Sequence, residues 1–176
     1  MDSLDTVAPA FVDMAHQIVW ATAATVNSAG EPSTRILHPI WEWDGERLRG
    51  WIATSPLSVK AKHLARMPMM SLTYWRPNQD TCTIRCRTAW DDTEAGREAL
   101  WERFSNAPDP LGYVPSLVPA WTSPAVPAFG ALELEPVAIR LLEGSAMLGG
   151  GGLVLNWRAR RGFRVSSRPP QDGVRG

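Results

Sequence analysis

From Gln17 on, apolar and polar positions alternate with a period of two in short runs closed by turn residues, which is the pattern of half-buried strands. The runs are 17–26 (QIVWATAATV), 33–43 (STRILHPIWEW), 48–54 (LRGWIAT), 69–75 (MMSLTYW) and 81–92 (TCTIRCRTAWDD). Ser28-Ala29-Gly30 and Asp44-Gly45 separate the first three, so two successive hairpins are expected. A sixth strand covers 129–144, with Leu132, Leu134, Val137 and Ile139 apolar, Glu133 and Glu135 outward, and a change of phase at Pro136 of the kind a bulge makes. A last short strand is predicted around Leu153 to Arg158.

Three segments change the period to that of a helix. Asp5 to His16 is amphipathic, with Phe11, Met14 and Ala15 on one side. In TSPLSVKAKHLARMP, Ser55 is the expected N-cap, Pro56 fits the first helical position, Pro68 ends the helix, and Leu57, Ala61, Leu64 and Ala65 form the stripe laid on the sheet. The third runs from Thr93 to Phe104, with Asp91 and Glu94 as a capping box and Leu100, Trp101 and Phe104 buried. Residues 107–128 are Pro-rich, contain Tyr113 and Trp121, and predict an ordered irregular loop of the kind that covers sites. Residues 1–162 are expected to form one domain and 163–176 a tail. Six or seven strands with helices only after the third and fifth predict an α+β fold built on a closed or nearly closed antiparallel barrel, since a doubly wound parallel sheet needs a helix between almost all strands.

Composition narrows the function classes. The 176 residues carry 18 basic and 18 acidic side chains, which removes the overall basic field expected of a nucleic-acid or anionic-membrane binder. No apolar run reaches the roughly 20 residues that span a bilayer. The N-terminus MDSLDTVAPAF carries acids where a secretion signal carries bases, so a cytoplasmic location is expected. Cys82 and Cys86 fall in one phase of a strand, about 13 Å apart. They are beyond disulfide reach and read as small residues on a buried face. His16, His38 and His63 lack metal-ligand spacing, and no metal site is expected. The glycine run 149–152 lacks the strand–turn–helix setting of a dinucleotide loop and reads as a connector.

Two clusters remain. Thr54, Ser55 and Ser58 offer hydroxyls at a helix N-terminus, and Lys60 and Lys62, the only lysines, follow at once, which suits an anion; the alternative is an ordinary solvated helix. On the second strand Arg35 stands where an inward face would place it, next to an anion or in a cross-strand ion pair. His38 nearby is either a donor to a ligand ring or a structural residue. Trp41, Trp43, Trp51, Trp75 and Trp90 lie in or beside strands, where they line a flat ligand, fill a core or form a dimer face.

The order of these elements, with G-E-P-S-T-R-I-L-H at 30–38 and T-S-x-x-S-x-K-x-x-x-L-x-x-x-P at 54–68, resembles the pyridoxamine 5'-phosphate oxidase-like superfamily of flavin- or deazaflavin (F420)-dependent oxidoreductases with a split β-barrel, over Gln17 to Leu142. The resemblance implies a homodimer with two cofactor sites at the subunit interface. Arg35 and Lys60 would bind the cofactor phosphate with Thr54 and Ser58 assisting, and Ile36, Leu37, His38, Ile52 and Ala53 would lie along the ring. Whether Lys60 or Lys62 is the main contact stays open. Two positions depart from the vitamin B6 oxidase pattern: Ile40 replaces a basic residue, and Val59 replaces the Arg before the phosphate-binding Lys. Trp157, Arg158 and Arg160 echo its terminal substrate segment only faintly, so vitamin B6 oxidation is not expected. The Arg-rich composition suits a high-GC actinobacterial source, where relatives often use F420. The expected function is an F420-dependent reductase of a small unsaturated or aromatic compound. Alternatives are an FMN-dependent oxidoreductase and a non-catalytic F420-, flavin- or haem-binding protein.

Overall fold

The computed structural model describes residues 1–160; the tail expected at 163–176 lies outside the described residues. The elements are α1 (Leu4–Ile18), β1 (Ala21–Val26), β2 (Pro32–Leu37), β3 (Pro39–Trp43), β4 (Leu48–Thr54), α2 (Val59–Arg66), β5 (Met69–Trp75), β6 (Thr81–Asp91), α3 (Glu94–Asn106), β7 (Gly130–Leu142), α4 (Gly144–Met147) and β8 (Val154–Arg158). All strand pairings are antiparallel, in the order β2-β1-β5-β6-β7-β4-β3, with β8 added to β7. The fold is an α+β split barrel of eight strands. No helix among the described residues is long and apolar enough to cross a membrane.

The run read as a single strand from 33 to 43 is two strands. β2 pairs with β1, whereas β3 pairs with β4, and the chain crosses from one side of the split to the other at His38 and Pro39. Proline supplies no N–H to a ladder and is placed at the first residue of a strand, as Pro39 is here. β7 is the branch point. It pairs with β6 over its length, with β4 through Gly130–Leu134 and with β8 through Ala138–Leu142, and its register against β6 slips between Ala138 and Pro136. The bulge expected at Pro136 therefore sits where one neighbour is exchanged for another. The α4 turn was not foreseen; the glycine run connects it to β8, with Gly149 and Gly151 at φ of 79° and 77°.

The barrel interior is filled by alternate residues of the strands, Ala21 and Ala23, Leu72 and Tyr74, Cys82, Ile84 and Cys86, Leu132 and Leu134, and by the α1 stripe Val7, Ala8, Phe11, Met14 and Ala15. Both cysteines are buried and free, as the strand phase requires. Phe11 meets the rings of Trp41 and Tyr74 edge-on at 5.0 and 6.1 Å, and the Trp41 indole N–H donates to the Tyr74 hydroxyl at 2.7 Å. The Trp41 ring lies against Gly50, where any Cβ would overlap it. His16 Nε2 accepts the Trp41 backbone N–H at 3.1 Å, which ties the last turn of α1 to the outer edge of β3.

A second cluster covers the opposite face of β3, β4 and β7: Ile40, Trp51, Ala53, Phe129 and Ala131 pack under Leu100 and Phe104 of α3. Thr93, not Asp91, caps α3, accepting the Gly96 N–H at 3.0 Å; Asp91 closes β6 and accepts the Thr93 N–H and hydroxyl. The Pro-rich segment folds back over this face. Trp121 packs edge-on against Phe129 at 5.2 Å, and Tyr113 on Phe104 at 4.8 Å. His38 is enclosed by Trp20, Phe104 and Tyr113, with ring centroids at 5.0, 5.4 and 5.4 Å, and its Nε2 has no partner among the described residues.

Tyr74→Phe removes the acceptor of a fully buried indole N–H and is expected to cost about 1–3 kcal/mol, read as a lower urea midpoint with unchanged slope. Burial, with a smaller contribution from His16, pushes the His38 imidazole down to about 4. Between the ordinary histidine value of about 6.5 and about 4 the unfolded chain takes up a proton that the folded chain refuses. His38 therefore makes the protein lose stability as pH falls through that window, by on the order of 2–3 kcal/mol. His38→Phe should flatten the dependence of unfolding free energy on pH between 6.5 and 4; an unchanged slope would place the acid sensitivity elsewhere.

Candidate functional site

β4 ends at Thr54, and the turn Ser55–Ser58 delivers the chain into α2. The helix begins three residues later than expected. Ser58, not Ser55, occupies its N-cap position, and the Ser58 hydroxyl makes no capping bond. It is engaged otherwise, donating to the Ser55 carbonyl at 2.8 Å and accepting from Lys60 Nζ at 2.9 Å. The buried side of α2 is His63 and Leu64, while Leu57 and Ala65 of the expected stripe are exposed. The late start rotates the wheel and places Lys60 half-buried against the sheet, whereas Lys62 is exposed.

Arg35 reaches the same corner from β2. It pairs with Ala23 of β1 and shares the inward phase of Ala21, Ala23 and Thr25. Its Nη1 donates to Thr25 Oγ1 at 2.8 Å and to the Ala23 carbonyl at 3.3 Å. The cross-strand ion pair held open as an alternative does not form: among the described residues neither Arg35 nor Lys60 has a carboxylate within salt-bridge distance. Burial, and then the Arg35 charge, hold the Lys60 ammonium below the usual lysine range. Burial alone lowers Arg35. Two neighbouring cations, partly desolvated and without a carboxylate partner among the described residues, make a corner where an added negative charge would relieve both the repulsion and the unpaired charge.

The corner adjoins the split itself. β3 begins at Pro39, opposite Ile52, so beyond Ile52 the edge of β4 turned away from β7 carries no strand, and Ala53 and Thr54 face the gap crossed by Leu37 and His38. The expected ring contacts divide here. Ile36 is 60% exposed and open to a ligand laid along β2, whereas Leu37, in the opposite phase, is half-buried against the barrel core. Ile52 points into the barrel core and Ala53 into the cluster under α3, so only their backbone is presented to the split. Thr54 is buried at the end of β4. The aromatic candidates separate likewise: Trp41 is core, and the face of Trp51 is covered by the Arg103 guanidinium at 3.8 Å. Trp43 and Trp90 pack against the barrel core, and Trp75 is exposed.

Two members of the corner were not singled out from sequence, Thr25 and His63. Thr25 Oγ1 lies 3.0 Å from His63 Nδ1, and both residues are buried. A polar residue in the inward phase of β1 was the available signal. Neither of two sizeable cavities touches the corner. One, of about 430 Å³, is lined by Arg85, Arg140, Arg158 and Trp157, and the other, of about 590 Å³, lies between β3 and α3 beside His16 and Arg103. The Arg35–Lys60 corner is an open edge.

No family model matches the chain, and no curated protein does. Solved structures match its fold. A pyridoxamine 5'-phosphate oxidase-related, FMN binding protein from Nostoc punctiforme superposes with a TM-score of 0.60 at 20% identity, covering 81% of this chain and 85% of its own. A protein related to general stress protein 26, of the pyridoxinephosphate oxidase family, from Clostridium acetobutylicum gives 0.65 at 11% identity, with 90% and 96% covered. A heme binding protein from Mycobacterium smegmatis gives 0.59 at 14% identity, with 90% of this chain and 59% of that one covered. At these identities the likeness is one of architecture, and the architecture is the split barrel that the pyridoxamine 5'-phosphate oxidase-like proteins share.

Proposed function

We propose that this chain is an oxidoreductase that binds a phosphate-tailed tricyclic cofactor, F420 in preference to FMN, and works on a small unsaturated or aromatic substrate. The observation that carries the reading is the Arg35–Lys60 pair, held at the split without a carboxylate. When bound, such a cofactor supplies the hydride chemistry, and the protein's part is binding, orientation and exclusion of water. Arg35 and Lys60 take the phosphate, with Ser58 holding the ammonium in place. The exposed Ile36, the backbone of Ala53 and Thr54, and the Trp20–His38–Tyr113 group border the place of the ring. His38, neutral over the physiological range, can meet a ring edge without adding charge. Tyr113, its phenol pushed up to about 12 by burial, stays protonated there.

The preference for F420 rests on the Arg-rich, Lys-poor composition and on the loss of cations that the phosphate monoester of FMN, with nearly two charges at neutral pH, would use. Ile40 and Val59, where the vitamin B6 oxidases place cations, leave Arg35 and Lys60 to do the work. The FMN reading is the alternative, favoured by the description of the Nostoc structure as FMN binding.

The second protomer has a place in this reading. The outer sheet face is built from small and polar side chains, in the cross-strand rows Thr34–Ala24–Ser71–Arg85–Ala138–Arg158 and Ile36–Thr22–Thr73–Thr83–Arg140–Asn156. Beside it lies the open corner, which a homodimer would enclose.

Titration of the nine tryptophans' fluorescence with F420 and FMN tests the cofactor. Quenching by F420 at lower concentration than by FMN is expected, and the reverse order transfers the reading to FMN. Arg35→Gln with Lys60→Gln should weaken binding at least 100-fold, the effect of two charge-assisted contacts; unchanged affinity refutes the site. Turnover of enones or quinones with reduced cofactor then separates a reductase from a carrier, and a Soret band in purified material would favour haem. Sedimentation should give twice the 19.4 kDa chain mass, with Ile36→Glu shifting the protein toward monomer; a monomeric wild type with full cofactor affinity would remove the second protomer from the site.

A further inference from the structure

We propose that His63 is a positioning residue that holds the Arg35 guanidinium at the anion corner through the hydroxyl of Thr25. The inference rests on the functional reading above for the identity of the anion, but its structural part stands on the hydrogen-bonded path from β2 to β1 to α2. Arg35 and Lys60 repel, and in the absence of an anion something must keep the two cations facing one another. Lys60 is held by Ser58 at 2.9 Å. Arg35 is held by Thr25 at 2.8 Å and, at 3.3 Å, by the Ala23 carbonyl.

Thr25 is 1% exposed, so its hydroxyl must find partners within the protein. A threonine oxygen offers two lone pairs and one proton. Arg35 can only donate and so takes a lone pair. The other partner among the described residues is His63 Nδ1, at 3.0 Å. With the His63 proton on Nε2, the Thr25 hydroxyl donates to Nδ1 and presents its lone pairs to Arg35; with the proton on Nδ1, the second lone pair receives it. Either way His63 fixes the rotation of the hydroxyl, and the hydroxyl fixes the guanidinium. His63 is itself held: it is 8% exposed, next to Leu64 in the buried side of α2. The helix that carries Lys60 thus also sets the position of Arg35, and the two cations are placed by one rigid element, which reduces the ordering cost of binding an anion.

The path makes a demand that ordinary packing does not. Asparagine places an amide close to the position of Nδ1, glutamine places it near Nε2, and leucine fills space without a partner. His63→Asn should therefore preserve the arrangement although it is the smaller side chain, and His63→Gln and His63→Leu should lose it. Thr25→Val removes the hydroxyl at constant shape. In the full-length protein, nitrogen-detected NMR of the Arg35 side chain reads the position directly, because a guanidinium held at Nη1 rotates slowly about its Cζ–Nη bonds. Slow rotation in the wild type and in His63→Asn, with fast rotation in His63→Leu, His63→Gln and Thr25→Val, is the expected result. Affinity for F420 or FMN should fall at least about tenfold in the last three, the loss of one hydrogen bond to a charged group. Thr25→Val with His63→Leu should lose little more than Thr25→Val alone, since both break the same path.

An Arg35 signal unaltered by His63→Leu, fast rotation already in the wild type, or a His63→Asn protein as impaired as His63→Leu would overturn the inference. Should His63→Leu fail to fold, Thr25→Val and the contrast between Asn and Gln decide it. If wild-type protein binds neither cofactor, the functional reading fails by itself, and the Arg35 rotation still judges the role of His63.

Discussion

Thirteen residues of β7 satisfy three neighbouring strands, and most of what is distinctive in this molecule follows from how they do so. A strand has two edges. β6 takes one of them from end to end, and the other must be divided, because β4 leaves after Leu134 and β8 arrives at Ala138. Between them sit Pro136 and the slip in register, where an extra residue bends and twists the strand. β4 and β8 are thereby sent in different directions, and the sheet cannot close as a simple barrel. The split lies between β2 and the end of β4, and the chain crosses it at His38 and Pro39.

The cations of the candidate site stand at that crossover, where the protein bears a cost in holding them. Each has lost part of its hydration, and each is lowered from its ordinary range, Lys60 partly by the charge of Arg35. Other charges of the chain are paired: buried Asp80 accepts from Arg76, Asn78 and the Gly144 N–H, and Arg103 engages Glu42 while stacking on Trp51, although Arg97 too meets only a carbonyl, that of Asp92. A chain capable of such pairing that leaves Arg35 and Lys60 with hydroxyl and carbonyl acceptors alone has a corner suited to a ligand carrying the missing charge. Neutral acceptors orient a cation without cancelling it.

Much of this fold was legible because periodicity is a local property. The alternation along Thr81–Arg87 placed Cys82, Ile84 and Cys86 in the core, and the phase change at Pro136 marked the bulge. The spacing of Leu100 and Phe104 identified the buried side of α3. What escaped depended on register between distant segments. Residues 33–43 alternate as one strand, and only the different partners of β2 and β3 divide them. Ser55 and Ser58 are both credible caps, and the choice between them turned the α2 wheel, exposing Leu57 and Ala65 and burying His63. Of the residues that meet at the corner, Arg35, Ser58 and Lys60 were singled out from residue type and placement. Thr25 and His63 were not, since their contact joins positions 38 apart, and a polar residue in the inward phase of β1 was the one signal at hand.

The placement of Ile52 and Ala53 limits what the fold by itself implies. In a split barrel the third hairpin strand is expected to lie along a ring, yet here one of these side chains fills the barrel and the other the cluster under α3, so a ring at β4 would meet backbone amides and the exposed side chains of β2. Backbone groups are common to every chain with this architecture and do not distinguish an isoalloxazine from a deazaflavin. Discrimination must come from groups peculiar to this sequence: the number of cations at the tail, two with Ile40 and Val59 apolar, and the neutral aromatic border of His38, Trp20 and Tyr113 at the other end. On the proposed reading, charge at one end and an uncharged aromatic wall at the other, rather than the shared architecture, bear on which cofactor it would be.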